Sequence, residues 1–450
     1  MSTEVSCDVV VLGLGPGGEH AAAELAKAGL EVVGIDERLV GGECPYFGCV
    51  PTKMMIAAST ALHEGRRVAK LAGSATIDPS WDPVARRIRD EATDDWDDTV
   101  AVKRLEDAGV TFARGRGVIT APGQVSVGDT TYAARKGVVL NTGTSPSAPP
   151  VDGLDTVEYW TNRDVVQLTE LPASIIVIGG GAIGCELAQV LAEFGVTVTV
   201  LEAADRLVAM EEPEASQVLE KAFADLGIEV VTGARIEEVS HDGDGFVAQL
   251  PDRSIRAERL LVAAGRRNNI GDIGLEHVGL DPAAKVLDPD ERMRVAEGVW
   301  AIGDITGKGA FTHMSMYQAD VVIRDLLDKD GPWADYRAVS RVTFTGPEIG
   351  AVGMTEKQAR DAGLRVSTGV TDLASSTRGW IAQEAGVIKV VADDDRGVLV
   401  GATAVGPSGG EVISMLTTAV HAQVPVETLR TMHFAYPTYH RAIESALADL

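Results

Sequence analysis

Hydrophobic and polar positions follow the same order in two separate stretches of the chain. In CDVVVLGLGPGGEHAAAELAKAGLEVVGIDE (residues 7–37), an apolar run leads into clustered glycines. Apolar positions at helical spacing follow up to Gly29, then a second apolar run closed by acids. ASIIVIGGGAIGCELAQVLAEFGVTVTVLEAADR (residues 173–206) repeats that order. A short unbroken apolar run bounded by turn residues fits a buried strand, and the period after it a helix packed on the sheet. Each stretch therefore predicts a βαβ unit, and the fold class is α/β with parallel sheets.

Between these stretches, residues 60–113 read as two polar helices with a proline-containing break at IDPSWDP, and DDWDD (residues 94–98) as a solvated helix start. TSPSAPPVDG (residues 144–153) is a proline-rich connection and marks a boundary. From residue 339 onward the pattern mixes strand and helix without a glycine cluster, which predicts a separate domain. A chain of 450 residues agrees with three domains of about 150 residues each.

Composition narrows the function. A formal net charge of -26 repels phosphate backbones, so nucleic acid is not an expected partner. No apolar run approaches about 18 residues, so no membrane span is expected. The N-terminal MSTEVSCDVVVLGLG has no basic region before its first strand, and a cytoplasmic location is expected.

The glycine clusters carry the first chemistry. Gly13, Gly15 and Gly18 have the spacing GxGxxG with Asp36 closing the next strand; Gly179, Gly181 and Gly184 repeat it with Glu202. Such glycines permit a tight turn and let a pyrophosphate approach the backbone at a helix N-terminus, while the acid accepts from a ribose diol. Two copies in the right context predict two dinucleotides, a flavin and a nicotinamide. A carboxylate at Glu202 favours a free ribose 2′-hydroxyl and hence NADH, with Arg206 near enough to keep NADPH open.

GGECPYFGCVPTK (residues 41–53) holds two of the chain's four cysteines, Cys44 and Cys49. Residues five apart in a regular helix are separated by about 7.5 Å and face different ways, too far for a disulfide. A bridge needs a distorted segment, which Pro45 and Gly48 suit. The pair reads as an exchangeable dithiol. Two unrelated buried thiols are the alternative; zinc would need further ligands nearby, and no metal is expected. Cys7 and Cys185 read as core residues.

Taken together, these residues resemble the pyridine nucleotide–disulfide oxidoreductases, FAD enzymes that include dihydrolipoamide dehydrogenase, glutathione reductase and mercuric reductase. GGECPYFGCVPTK is similar to their redox-disulfide motif. NTGTSPSAPP (residues 141–150, with Gly143) and LVAAGRRNN (residues 261–269, with Gly265) are similar to their two interdomain crossing segments. VWAIGDIT (residues 299–306) resembles the flavin motif whose aspartate, here Asp304, binds the ribityl chain. RVTFTGPEIGAVGMTE (residues 341–356) resembles the opening of their dimerisation domain.

The resemblance implies an FAD-binding domain of residues 1–150 and 270–335, an NAD(P)H-binding domain of 151–269, and an α+β dimerisation domain of 336–450, assembled as a homodimer. It implies that hydride passes from NADH to FAD and that electrons then reach a Cys44–Cys49 disulfide. Cys49 would lie beside the flavin and Cys44 would exchange with the acceptor. Lys53 would lie near the flavin and pair with Glu186, and His313 would line the flavin side of the first domain. Ala182 replaces a gating tyrosine of some members.

One departure stands out. Thiol-reducing members read His-Pro-Thr-x-x-Glu near the C-terminus, whereas this chain reads Tyr436-Pro437-Thr438-Tyr439-His440-Arg441. A phenol titrates near pH 10 and an imidazole near 6.5, so the usual acid–base, worth about 10²–10⁴-fold in rate, is missing. His440 and Glu444 would share a face of a helix starting near Thr438, which offers a replacement dyad; His433 is a second histidine nearby.

The leading expectation is an NAD(P)H oxidoreductase that reduces a small disulfide, like dihydrolipoamide dehydrogenase. The alternative acceptors are quinones, other electrophiles or metal ions, and the third reading is a flavin redox sensor with little turnover.

Overall fold

The apolar run at the start of the chain becomes the inside of a sheet. Val9, Val10 and Val11 are fully buried in the strand Thr3–Leu12, which pairs in parallel with Val32–Asp36 on one side and Thr130–Leu140 on the other. This computed structural model describes residues 3–450, and the described chain gathers into two compact units. The first unit takes the chain up to Pro51, then Arg86–Pro146 and Arg266–Asp335. Its sheet runs Arg294–Ala296, Val299–Ala301, Thr130–Leu140, Thr3–Leu12, Val32–Asp36, Val110–Arg114, with the glycine fingerprint at the carboxyl end of the central strand.

One face of this sheet is covered by the helices Pro16–Lys27 and Thr312–Leu326, whose Ala21, Ala22, Leu25, Ala319, Val322 and Leu326 bury against Val9, Val11 and Val139. Alanines on the shorter helix let it lie close to both neighbours. The other face packs Val10, Leu12, Val33 and Ile35 against Ile119, Val125 and Ile305.

The second unit takes Thr52–Ala85, Ser147–Gly265 and Tyr336–Leu450. Its parallel sheet orders Glu229–Val231, Thr197–Leu201, Ser174–Ile178 and Arg259–Val262, with the helix Ala182–Glu193 leaving the second fingerprint. A five-stranded antiparallel sheet occupies residues 340–406, and its strands Val387–Asp393 and Val398–Gly406 are buried at every position. Burial without alternation means both faces are covered. The helices Gly409–His421 and Ala442–Ala448 contribute Ile413, Leu416, Ile443 and Leu447 to that core.

The α/β class with parallel sheets is therefore present, joined by an antiparallel C-terminal sheet. Residues 60–113 depart from the expected pair of helices. The helix that opens at Cys49 runs unbroken to Leu71, and Asp82–Arg87, a π turn at Ile88–Ala92, the helix Thr99–Asp107 and the strand Val110–Arg114 follow. DDWDD is not a helix start. Asp94, Asp95 and Trp96 form a left-handed turn with φ of 48, 54 and 58°, and Asp98 alone stands at the N-cap of Thr99–Asp107. Among the described residues no helix is long and apolar enough to cross a membrane, and no cluster of His, Cys, Asp or Glu has the arrangement of a metal site.

Candidate active site

The first fingerprint is closed by backbone contact. Gly13 has φ +93°, and a Cβ there would stand 2.4 Å from the Asn141 carbonyl oxygen; one on Gly18 would stand 2.0 Å from that of Gly13. Gly15 is the N-cap of Pro16–Lys27 and makes no side-chain cap bond, so the helix's first N–H groups face the turn. Asp36 accepts from Leu14 N–H and Arg38 N–H, both at 2.7 Å, and burial raises its pKa despite those two bonds. Each carboxylate oxygen keeps a second lone pair for a ribose hydroxyl. This cradle fits the pyrophosphate and ribose of a dinucleotide such as FAD.

The dithiol segment is built directly on that cradle. Gly41 N–H donates to Leu14 O at 2.7 Å, and a Cβ on Gly42 would stand 2.9 Å from Gly15 Cα. Glu43–Tyr46 forms one helical turn holding Cys44, Phe47 breaks it, and Cys49 opens the long helix Cys49–Leu71. Phe47 N–H and Gly48 N–H both donate to Glu43 O, at 2.9 and 2.7 Å, which tightens the chain between the cysteines. A Cβ on Gly48 would meet Glu43 O at 3.2 Å, and the expected distortion between the cysteines is present, with Phe47 at the C-cap of the first turn. The disulfide expected between Cys44 and Cys49 is not formed in this structure; Cys44 is half-buried and Cys49 exposed, with Cys49 Sγ 3.4 Å from Thr312 Oγ1. Cys7 and Cys185 are buried; desolvation pushes the Cys7 thiol up to about 11 and raises that of Cys185.

Several residues not singled out in the sequence tie this region together. Asp304 accepts from Thr144 Oγ1 at 2.6 Å, Thr144 Oγ1 accepts from Arg266 Nε at 2.6 Å, and Arg266 lies 3.5 Å from the Glu43 carboxylate. Gly143 O accepts from Asn269 N–H at 2.9 Å, joining the two crossing segments. Gly265 O accepts from Ser147 N–H at 3.1 Å within the second unit. His313 stacks on Phe311 with ring centroids 5.4 Å apart, at the start of the helix that carries Thr312.

The second fingerprint repeats the first with more open space. A Cβ on Gly184 would stand 1.9 Å from Gly179 O, whereas one on Gly181 would meet nothing within 4 Å. Ala182 is exposed at the mouth of this turn. The Glu202 carboxylate accepts from Gly180 N–H and Ala204 N–H. Arg206 donates from Nη2 to Ala209 O at 2.8 Å and to Glu211 O at 2.7 Å. This cradle fits a second dinucleotide. Gly184→Ala is expected to weaken binding of the nicotinamide nucleotide at least about tenfold, because overpacking costs roughly 1–3 kcal/mol. Calorimetric titration of the purified protein with NADH measures it, and unaltered affinity would remove this turn from the binding site.

Glu186, 6% exposed, accepts from Lys53 Nζ at 2.6 Å and from Phe344 N–H at 2.8 Å, while Lys53 Nζ lies 4.4 Å from the centre of the Phe344 ring. Lys53 also sits one helical turn after Cys49.

At the C-terminus, Tyr436 is 66% exposed and its hydroxyl donates to Thr377 Oγ1 at 3.3 Å. Arg441 donates to Phe434 O at 3.1 Å and pairs with Glu444 at 2.8 Å. The expected His440–Glu444 pairing is not what forms. The helix begins only at Ala442, so His440 lies before it and packs beside Phe434 with ring centroids 6.0 Å apart. His433 is exposed.

Comparison with known proteins agrees with this geometry. Residues 7–319 match the pyridine nucleotide-disulphide oxidoreductase family and residues 339–447 its dimerisation domain. The chain belongs to this family. It is 32% identical to a mercuric reductase of Streptomyces lividans over 98% of this chain and 95% of that one. It is 31% identical to a dihydrolipoyl dehydrogenase of Halobacterium salinarum over the same two shares. Among solved structures, LpdA of Mycobacterium tuberculosis matches with a TM-score of 0.86 at 28% identity, covering 99% of both chains. The HOCl-induced flavoprotein disulfide reductase RclA of Escherichia coli, in a Cu(II) complex, matches with 0.85 at 25%, covering 99% of each. Members of this family are FAD-dependent oxidoreductases that use NAD(P)H, and the dimerisation domain supports a homodimer.

Proposed function

We propose that this family member is an NADH-dependent reductase whose Cys44–Cys49 pair passes electrons to an acceptor needing no histidine proton donor, a soft metal ion or a quinone. The observation that carries the reading is the seating of the dithiol segment on the first dinucleotide cradle, through Gly41 to Leu14 and Gly42 against Gly15. A bound FAD supplies the transfer of two electrons from reduced nicotinamide to a disulfide. A disulfide formed between Cys44 and Cys49 would take up two electrons and two protons and become two thiols. Cys49 opens the helix Cys49–Leu71, and the positive end of a helix dipole favours an anionic sulfur. Lys53, held by Glu186, adds positive charge one turn further on. Glu202 is placed to hold a ribose diol and would repel a 2′-phosphate, which supports NADH over NADPH.

The acceptor follows from the C-terminal residues. Tyr436 and Arg441 supply neither an imidazole nor a carboxylate to orient one. The likeness to mercuric reductase and to RclA in a Cu(II) complex supports a soft cation, which a thiolate binds without a proton relay. A small disulfide is the second reading, supported by the likeness to dihydrolipoyl dehydrogenases. Steady-state rates with NADH and lipoamide, a benzoquinone or Hg(II) separate the two. Tyr436→His combined with Arg441→Glu is expected to raise lipoamide reduction by about 10²-fold or more and leave Hg(II) and quinone rates unchanged. Wild-type lipoamide reduction as fast as that of the other acceptors would overturn the preference.

A further inference from the structure

The left-handed turn at residues 94–96 grips the dithiol segment at two points. The Trp96 indole N–H donates to Tyr46 O at 3.1 Å, and that carbonyl stands between the two cysteines at the end of the turn Glu43–Tyr46. Two residues on, the Asp98 carboxylate accepts from Val40 N–H at 2.7 Å, just before the segment begins, and is itself held by Arg114. Val40 is fully buried and Tyr46 is 6% exposed, so both anchored points lie inside the unit.

The turn is costly. Three consecutive residues with positive φ, none of them glycine, each crowd a Cβ against the backbone. Local bonds offset part of that: Asp95 N–H donates to Arg89 O at 2.7 Å, Asp97 N–H to Asp94 O at 3.1 Å, and buried Thr93 Oγ1 to Ile88 O at 3.0 Å. None of these local bonds requires an indole at Trp96. The long-range bond to Tyr46 does, since an indole is a donor only.

We infer that Trp96 is a positioning residue for the Cys44–Cys49 couple. By holding Tyr46 O, with Asp98 holding Val40, it restrains the chain before and between the cysteines, so that closing a disulfide there costs less chain freedom. Disulfide bonding confines the two Cα atoms to about 4.4–6.8 Å, so a device that restrains the segment favours the oxidised state. Removing it shifts the equilibrium toward two thiols. The inference rests on the proposal that this pair is redox-active.

The test equilibrates the FAD-loaded protein in buffers of reduced and oxidised dithiothreitol, alkylates the thiols and measures the state of Cys44 and Cys49 by mass spectrometry. Two electrons and two protons enter the protein disulfide as dithiothreitol closes to its cyclic disulfide. Trp96→Phe keeps a ring and deletes the donor. Its equilibrium constant is expected to favour the dithiol about tenfold more than wild type, a potential about 30 mV higher. Asp98→Ala, which deletes the second grip, carries the same expectation if Trp96→Phe fails to fold. A shift within twofold of wild type, or one toward the disulfide, overturns the inference. Failure of wild-type Cys44 and Cys49 to titrate together would instead reject the redox reading on which it rests.

Discussion

Cys49→Ser is expected to lower NADH-dependent turnover by at least about 10³-fold, with folding and flavin content unchanged. Loss of a sulfur nucleophile removes the chemical step itself, and hydroxyl is no two-electron relay. The fold should tolerate the change because Cys49 is exposed at the first turn of Cys49–Leu71 and contributes nothing to a buried core. The neighbouring Thr312 Oγ1, 3.4 Å from the sulfur, accepts or donates equally well to a serine hydroxyl. Cys7→Ser is the matched control. That thiol is 2% exposed with its pKa pushed up to about 11, so it holds no thiolate at neutral pH. Its substitution should lower stability and leave turnover alone. Retained turnover in Cys49→Ser, measured with each acceptor in parallel, would move the chemistry off the dithiol.

Lys389→Met is expected to destabilise the protein by about 3–5 kcal/mol. The Lys389 side chain is 4% exposed and its ammonium lies 3.0, 2.9 and 2.9 Å from Glu212, Glu214 and Glu356. Burial alone pulls its pKa down, but hydrogen bonds to Glu214, Glu356 and Glu212 outweigh that and hold it above the usual lysine range. Hydrogen bonds from Lys389 and Arg360 hold the Glu356 carboxyl below its own. The lysine contribution is therefore complete below the unfolded pKa of about 10.4 and is lost as pH rises through the raised folded value. That of Glu356 is present above an unfolded pKa of about 4.3 and is lost as pH falls through its lowered value. Methionine fills the volume and leaves Glu212, 2% exposed, with no cation. Urea midpoints at pH 7 measure the effect. Adding Glu212→Gln should recover part of it, and a loss under 1 kcal/mol in the single variant would show the cluster to be near neutral.

The two βαβ units are legible in the sequence because local pattern and tertiary role coincide there. An apolar run cannot satisfy its environment except as a buried strand, and Gly13, Gly18, Gly179 and Gly184 cannot be replaced without a Cβ entering a carbonyl. The dithiol segment is legible too, because its two cysteines bracket a break between two helical stretches. DDWDD is different. Four aspartates around a tryptophan are as suitable for a solvated helix start as for a turn, and what decides is Trp96 reaching Tyr46, 50 residues earlier. His440 and Glu444 fail for a related reason. Their spacing defines a shared face only if the helix includes both, and it starts at Ala442, leaving Glu444 to Arg441. The chain of contacts from Asp304 through Thr144 and Arg266 to Glu43 was equally invisible, since each link joins distant segments of one unit.

The central claim, that reducing equivalents from NADH reach the cysteine pair, is tested most directly by counting thiols. The FAD-loaded protein is mixed with excess NADH without oxygen, quenched in acid, alkylated, and digested for mass spectrometry of residues 41–53. Before NADH, Cys44 and Cys49 should be joined and unlabelled; afterwards both should carry label in the same peptide, in proportion to NADH consumed. NADH oxidised with the pair still joined, or a pair labelled equally before and after, would contradict the account.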